Sequence, residues 1–169
     1  MLRRDGKQHG HGVTGIVVHV AKYLDGLDRA CEHDCRFCIE RLESGHSGEE
    51  IPTIGQIKEA LTSVTRHNES IESVFIAGGE PTGRKDLLEI VAFIKSLGKR
   101  VALTTHGDYL HPEAIAKSLV LSGLDSVAIS LHGESADIHD WHTQRAGSYE
   151  RTLKSLVSYR NAGISPRVN

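Results

Sequence analysis

Short β-branched runs alternate with longer helical patterns along most of the chain, and this alternation constrains the fold more than any other feature. Four runs have the length and side chains of strands, and a fifth begins near the end of the sequence: 15–20, 73–77, 100–104, 126–131 and 164–169. Connected by helices through right-handed crossovers, such strands form a parallel sheet covered by helices. This order suits both a doubly wound open sheet and a (β/α)8-type barrel.

The intervening segments carry helix start and stop signals. Thr53 and Gln56 have the spacing of a capping box, which predicts a helix beginning there. Apolar residues recur three or four apart from 87 to 97, and Gly98 stands where a helix-ending glycine belongs. Pro112 begins a third predicted helix, and Ser148 caps a fourth. We expect the polar stretch between the fourth strand and Ser148 to be a loop.

The length of the chain constrains how much of such a fold it contains. It has 169 residues, whereas a complete eight-unit barrel needs about 250. We expect residues 1–12 to be an N-terminal extension and residues 13–169 to be one core domain, truncated at its C-terminal end. A sheet that stops within its fifth strand leaves an unpaired edge, so we expect this piece alone to associate.

All three cysteines lie within eight residues, at Cys31, Cys35 and Cys38. An odd number at this spacing does not suit a disulfide framework and is typical of metal binding in a reducing compartment. Thiolates are soft ligands that suit iron–sulfur clusters or zinc. Three ligands on a four-iron cubane leave one iron open to an outside ligand, whereas an electron-transfer cluster normally has four cysteines.

Two other functions remain open on the cysteines alone. One is a zinc-stabilised binding module, with His33 or His46 as the fourth ligand. The other is an iron–sulfur electron carrier. Zinc sites usually combine two separated ligand pairs, and no second cysteine pair follows here.

The spacing C-x3-C-x2-C, with Phe37 before the last cysteine, resembles the signature of the radical S-adenosylmethionine (SAM) enzymes. It lies after the first predicted strand, as in that family. Gly78-Gly79-Glu80-Pro81 follows the second strand directly and resembles the family's GGEP motif. The resemblance implies the N-terminal part of the radical SAM core: a partial parallel (β/α) TIM-type barrel with about four βα units and the start of a fifth strand.

The resemblance also implies which residues hold the cofactors. The three cysteines would bind a [4Fe–4S] cluster, and SAM would chelate its open iron. The backbone of Gly78, Gly79 and Glu80, with the Glu80 carboxylate, would bind the SAM ammonium group. Ser130, at the end of the fourth strand, would contact the SAM ribose or carboxylate. Phe37 would enclose the adenine or form an apolar plug beside the cluster.

The implied reaction is reductive cleavage of SAM to methionine and a 5′-deoxyadenosyl radical, which abstracts hydrogen from a substrate. It requires a one-electron donor such as flavodoxin or ferredoxin. The substrate, a small molecule or a peptide, is not readable from these motifs. His106 stands where many family members have asparagine, so no role is assigned to it.

Composition argues against two classes of partner. The net charge is −2 with neutral histidines and aromatic residues make up 5%, a poor basis for nucleic-acid binding. No apolar run reaches the length of a membrane-spanning helix. Together with the clustered thiols, these features lead us to expect a cytoplasmic protein.

Overall fold

The computed structural model describes residues 2–3, 14–19, 31–38 and 51–169. Six strands of these residues form one sheet in the order of the chain. They are β1 (Leu2–Arg3), β2 (Thr14–His19), β3 (Ile71–Ala77), β4 (Arg100–Thr105), β5 (Ser126–Ile129) and β6 (Arg167–Val168). Strands β2 to β6 pair in parallel, and β1 pairs antiparallel with β2. The sequence did not predict this pairing inside the expected 1–12 extension.

Within the described ranges, five helices connect the parallel strands. They are α1 (Ile54–Arg66), α2 (Leu87–Ser96), α3 (Pro112–Leu121), α4 (Ala136–Thr143) and α5 (Ser148–Asn161), with a 3-10 turn at Pro81–Gly83. The predicted capping box of α1 is present: the Gln56 side chain accepts from the Thr53 N–H at 2.8 Å. Gly98 follows α2 with a φ of +71°, the left-handed conformation predicted for it.

The strand order distinguishes between the two predicted architectures. A doubly wound sheet reverses its strand order at a switch point, whereas here every parallel strand adjoins the next one along the chain. Crossovers of one hand then all pass on the same face of the sheet. The predicted class, an α/β partial barrel, is confirmed.

The two faces of the sheet differ in what covers them. Val74, Ile76 and Leu103 alternate with their neighbours along β3 and β4 and are at most 1% exposed in the core. The opposite face carries Ser73, the partly exposed Phe75 and Ala102 and borders a groove of about 350 Å³ that these residues help to line. Large apolar residues therefore pack the sheet against its helices.

One predicted loop is wrong. Residues 136–143 form α4, a helix of eight residues with no apolar stripe that periodicity could detect. It buries His139 and Thr143 instead of aliphatic side chains. Gly147, not Ser148, occupies the N-cap position of α5. No helix of the described residues is long and apolar enough to span a bilayer.

Candidate functional site

Because the strands are parallel, the carboxyl ends of β3, β4 and β5 meet at one edge of the sheet. Three short segments follow these ends: 78–80, 106–109 and 130–133. Residues 31–38, here called the cysteine loop, lie against the last two segments. His33 stacks on His106 with ring centroids 4.0 Å apart, and Phe37 meets His132 edge-on at 4.6 Å.

The three cysteines are partly buried, and none of them forms a disulfide. Burial and the charges of Cys31 and Cys38 raise the pKa of the Cys35 thiol to about 12, which indicates that the three sulfurs lie within electrostatic reach of one another. No three histidine, cysteine or carboxylate side chains of the described residues are arranged to hold a single metal ion. A cubane separates its thiolate ligands more widely, because each binds a different iron.

Backbone hydrogen bonds attach the cysteine loop to the last turn of α4. The Asp34 N–H donates to the Thr143 carbonyl and the Arg36 N–H to the His142 carbonyl, both at 3.1 Å. The Arg36 guanidinium lies 4.3 Å above the Trp141 ring and donates to the Trp141 carbonyl. The loop between the thiols is therefore fixed by its own backbone and by Arg36.

A buried carboxylate lies beneath the loop. Asp108 Oδ2 accepts from His33 Nε2 at 2.9 Å and from Arg145 Nε at 2.8 Å, and Arg151 donates to both Asp108 oxygens. Burial alone would raise the pKa of Asp108, but the His33 and Arg151 hydrogen bonds outweigh it and hold that pKa far below its ordinary value. Asp108 is therefore an anion at neutral pH.

Glu80 is 2% exposed and is engaged by the chain itself. Its Oε1 accepts from Thr82 N–H at 3.0 Å, Thr82 Oγ1 at 2.6 Å and Thr105 Oγ1 at 2.7 Å. Its Oε2 accepts from the His106 N–H at 2.9 Å. The preceding Gly78 and Gly79 have φ values of +90° and +47°, which glycine adopts without steric cost.

His106 connects the cysteine loop with the Glu80 turn. Its Nδ1 accepts from the Asp108 N–H at 2.8 Å, and its Nε2 lies 3.3 Å from both Glu80 Oε2 and Glu32 Oε2. Burial lowers the pKa of His106, but the Glu80 charge and the hydrogen bonds with Cys31 and Glu32 outweigh it and raise that pKa above its ordinary value. A residue left without a role by the sequence thus faces the site.

The remaining predicted residues lie on the β5 side of the same edge. The Ser130 N–H extends the sheet to the Thr105 carbonyl at 3.0 Å, and its partly exposed hydroxyl makes no hydrogen bond with the described residues. Phe37 is 49% exposed and contacts His132 and His142. Both positions leave polar or aromatic surface open at the edge where the cysteines lie.

Comparison with known proteins assigns the family. The model of the radical SAM superfamily matches residues 28–169, most of the chain. This protein therefore belongs to the radical SAM superfamily, whose members use a [4Fe–4S] cluster and SAM. The predicted family is confirmed.

Individual relatives agree with this assignment. The chain is 34% identical over 145 residues to the probable GTP 3′,8-cyclase of Saccharolobus solfataricus, covering 83% of this chain and 44% of that protein. It is 30% identical over 143 residues to the AdoMet-dependent heme synthase of Methanosarcina barkeri, covering 85% and 40%. The chain thus spans less than half the length of these relatives.

Among solved structures, Streptococcus suis SuiB bound to S-adenosylmethionine matches with a TM-score of 0.67 at 19% identity. The match covers 90% of this chain and 32% of SuiB. At this identity the likeness concerns the fold, and it agrees with the partial barrel described above.

The described residues fit the family's cofactors. Three imidazole nitrogens near the cysteine loop are buried without a hydrogen-bond partner among the described residues: His33 Nδ1, His139 Nε2 and His142 Nδ1. Buried polar atoms normally have a hydrogen-bond partner, so these three nitrogens can still form hydrogen bonds with a bound molecule. Soft thiols beside unsatisfied polar atoms suit a cluster and a polar cofactor.

The sequence missed the residues that support the site. It assigned nothing to Asp108, Arg145 or Arg151, and it considered His33 only as a zinc ligand. The structure commits His33 Nε2 to Asp108; His46 lies outside the described residues. No local pattern joins positions 33, 108 and 145, because only the folded chain brings them together.

Proposed function

We propose that the protein is a radical SAM enzyme in which Cys31, Cys35 and Cys38 hold a [4Fe–4S] cluster at the carboxyl edge of the sheet. The cluster, when bound, would supply the electron that cleaves SAM to methionine and a 5′-deoxyadenosyl radical. The observation that carries this proposal is the connection between the cysteine loop and the Gly78–Glu80 turn through His106. The two motifs of the family thus meet at one site.

The residues around the cysteines would bind and orient SAM. The left-handed backbone of Gly78 and Gly79 leaves room for close approach. Carbonyl oxygens there and the remaining acceptor capacity of Glu80 Oε2 would receive an ammonium group. The Ser130 hydroxyl would contact the ribose or carboxylate, and Phe37 would cover the adenine or exclude water beside the cluster.

The reductant and substrate are proposed only as classes. A one-electron donor such as flavodoxin or ferredoxin would reduce the cluster. Relatives of nearly equal identity are named for different reactions, on GTP and in heme synthesis. The shared part of the chain therefore supports the SAM chemistry, while the substrate is an unidentified small molecule or peptide. Clustered thiols are consistent with a cytoplasmic location.

The test is anaerobic reconstitution of the full-length protein with iron and sulfide, followed by a SAM-cleavage assay with dithionite. We expect a brown protein that releases 5′-deoxyadenosine. The Cys35→Ala variant should lose both the colour and the cleavage, because two thiolates hold a cubane poorly.

The two rival functions give different results in the same assay. A colourless protein containing one zinc ion would support a binding module. A brown protein that leaves SAM intact would support an electron carrier. SAM cleavage by Cys35→Ala at the wild-type rate would contradict the assignment of the cysteines.

A further inference from the structure

Asp108 joins three distant segments of the chain. Its side chain is 2% exposed and receives hydrogen bonds from His33 in the cysteine loop, Arg145 after α4 and Arg151 in α5. These three residues lie 37 to 75 positions away from Asp108 in the sequence, and Arg145 is the nearest of them. One carboxylate therefore links the loop to the helices behind it.

The cysteine loop alternates anchoring residues with thiols. His33 is 3% exposed, and the Asp34 and Arg36 amides bond to α4, whereas Cys31, Cys35 and Cys38 contribute to none of these contacts. Because the anchors and the thiols are different residues, the anchors can set the path of the loop without occupying a metal ligand. Among the described residues, His33 is the loop's most deeply buried side chain.

The charges favour this arrangement. Two guanidinium groups face the Asp108 carboxylate, and hydrogen bonds between ionised partners are stronger than neutral ones. The ring of His33 also stacks on His106, so the imidazole is held at its edge by Asp108 and on its face by His106. Replacing the carboxylate with a neutral amide removes the charge that orders all three donors.

We propose that Asp108 is a positioning residue that holds the cysteine loop, through His33, in the conformation that receives the cluster. Among the described residues, Asp108 forms no hydrogen bond or ion pair with the thiols or with the residues expected to bind SAM. It acts by limiting the movement of residues 31–38. The rigidity of residues 31–38 can be measured in the metal-free protein, whereas its importance for the cluster rests on the proposed function.

Hydrogen exchange of the metal-free, full-length protein tests the first part. In Asp108→Asn we expect the Asp34 and Arg36 amides to exchange faster by on the order of tenfold, because the loop opens locally, while β3 and β4 keep their protection. The matched control is Asp125→Asn, whose carboxylate binds Lys95 and the Val101 N–H at the opposite end of β4 and β5. Unchanged exchange in residues 31–38 would overturn the proposal.

A second pair of variants addresses the loop side and avoids leaving two partly exposed arginines without their partner. His33→Gln retains an amide donor for Asp108, whereas His33→Ala does not. We expect His33→Ala to loosen residues 31–38 and His33→Gln to restore much of the protection. Equal exchange in both variants would show that the bond to Asp108 does not hold the loop.

Cluster retention tests the second part. After reconstitution, Asp108→Asn should lose iron to a chelator several times faster than wild type and Asp125→Asn, with a broadened electron paramagnetic resonance signal of the reduced cluster. Equal retention would contradict a role in cluster binding. If the wild-type protein fails to cleave SAM, the exchange experiments still decide whether Asp108 orders the loop, so the two proposals fail separately.

Discussion

At the scale of single residues, Glu80 and Ser130 differ in how much binding capacity the chain leaves them. Glu80 already accepts four hydrogen bonds from protein donors, so its carboxylate fixes the turn that follows β3 as well as facing the site. The Ser130 hydroxyl has no such partner among the described residues. Ser130 is therefore the better position for a variant that probes SAM binding without disturbing the turn.

We expect Ser130→Ala to raise the Kd for SAM by roughly threefold to tenfold, the change that loss of one hydrogen bond brings. The measurement is a SAM titration of the reconstituted protein, followed by electron paramagnetic resonance of the reduced cluster. Ser126→Ala is the matched control, since Ser126 begins the same strand at the opposite edge of the sheet. Identical Kd values for both variants would exclude a Ser130 contact with SAM.

At the scale of elements, α4 connects the site with α5. Its last turn receives the cysteine loop, and Asp140 caps the start of α5. The Asp140 carboxylate accepts from the Gly147 N–H at 2.5 Å, Ser148 Oγ at 2.8 Å and the Tyr149 N–H at 2.9 Å. An anion at a helix N-terminus also interacts favourably with the helix dipole.

Asp140→Ala should lower the free energy of unfolding by about 1–2 kcal/mol, the usual cost of losing a capping side chain. Chemical denaturation of the metal-free protein measures it. Glu134→Ala, which removes an exposed carboxylate just before α4, should change stability by less than about 0.5 kcal/mol. A similar loss in both variants would contradict the capping role.

At the scale of the whole molecule, the fold keeps two imidazoles at the carboxyl edge neutral, those of His132 and His139. Burial and the nearby His139, His142 and His33 lower the pKa of His132 to about 4, and burial also lowers the pKa of His139. Histidines in the unfolded chain take up protons at higher pH than these. Protonation therefore favours the unfolded state as the pH falls.

Above about pH 6.5, His132 is neutral in both the folded and the unfolded protein, so its protonation should not change the unfolding free energy of the metal-free protein. That free energy should decline as the pH falls from about 6.5 towards about 4, because the unfolded chain then takes up the proton first. In His132→Gln this decline should be shallower. The control is His111→Gln, which changes an exposed histidine at the start of α3. Denaturation curves at several pH values measure the slope, and equal slopes in all three proteins would contradict the prediction.

The sequence by itself determined the alternation of β2 to β6 with α1, α2, α3 and α5, the helix ends marked by Thr53, Gly98 and Pro112, and the two motifs that indicate the family. These signals are local: they depend on residues a few positions apart, where propensity, capping and spacing act. The same locality explains why the capping box of α1 was predicted and α4 was not, since α4 is stabilised by buried polar contacts and lacks an apolar stripe.

Three features were decided only by the tertiary structure. They are the strand order of the sheet, in which each parallel strand adjoins the next along the chain, the connection of Glu80 to Cys31 through His106, and the attachment of His33 to Asp108. Each depends on contacts between residues far apart in the chain, and no spacing rule encodes which distant partner a buried charge will find. Burial then selects the partners, because a carboxylate withdrawn from water needs donors and cations to remain ionised.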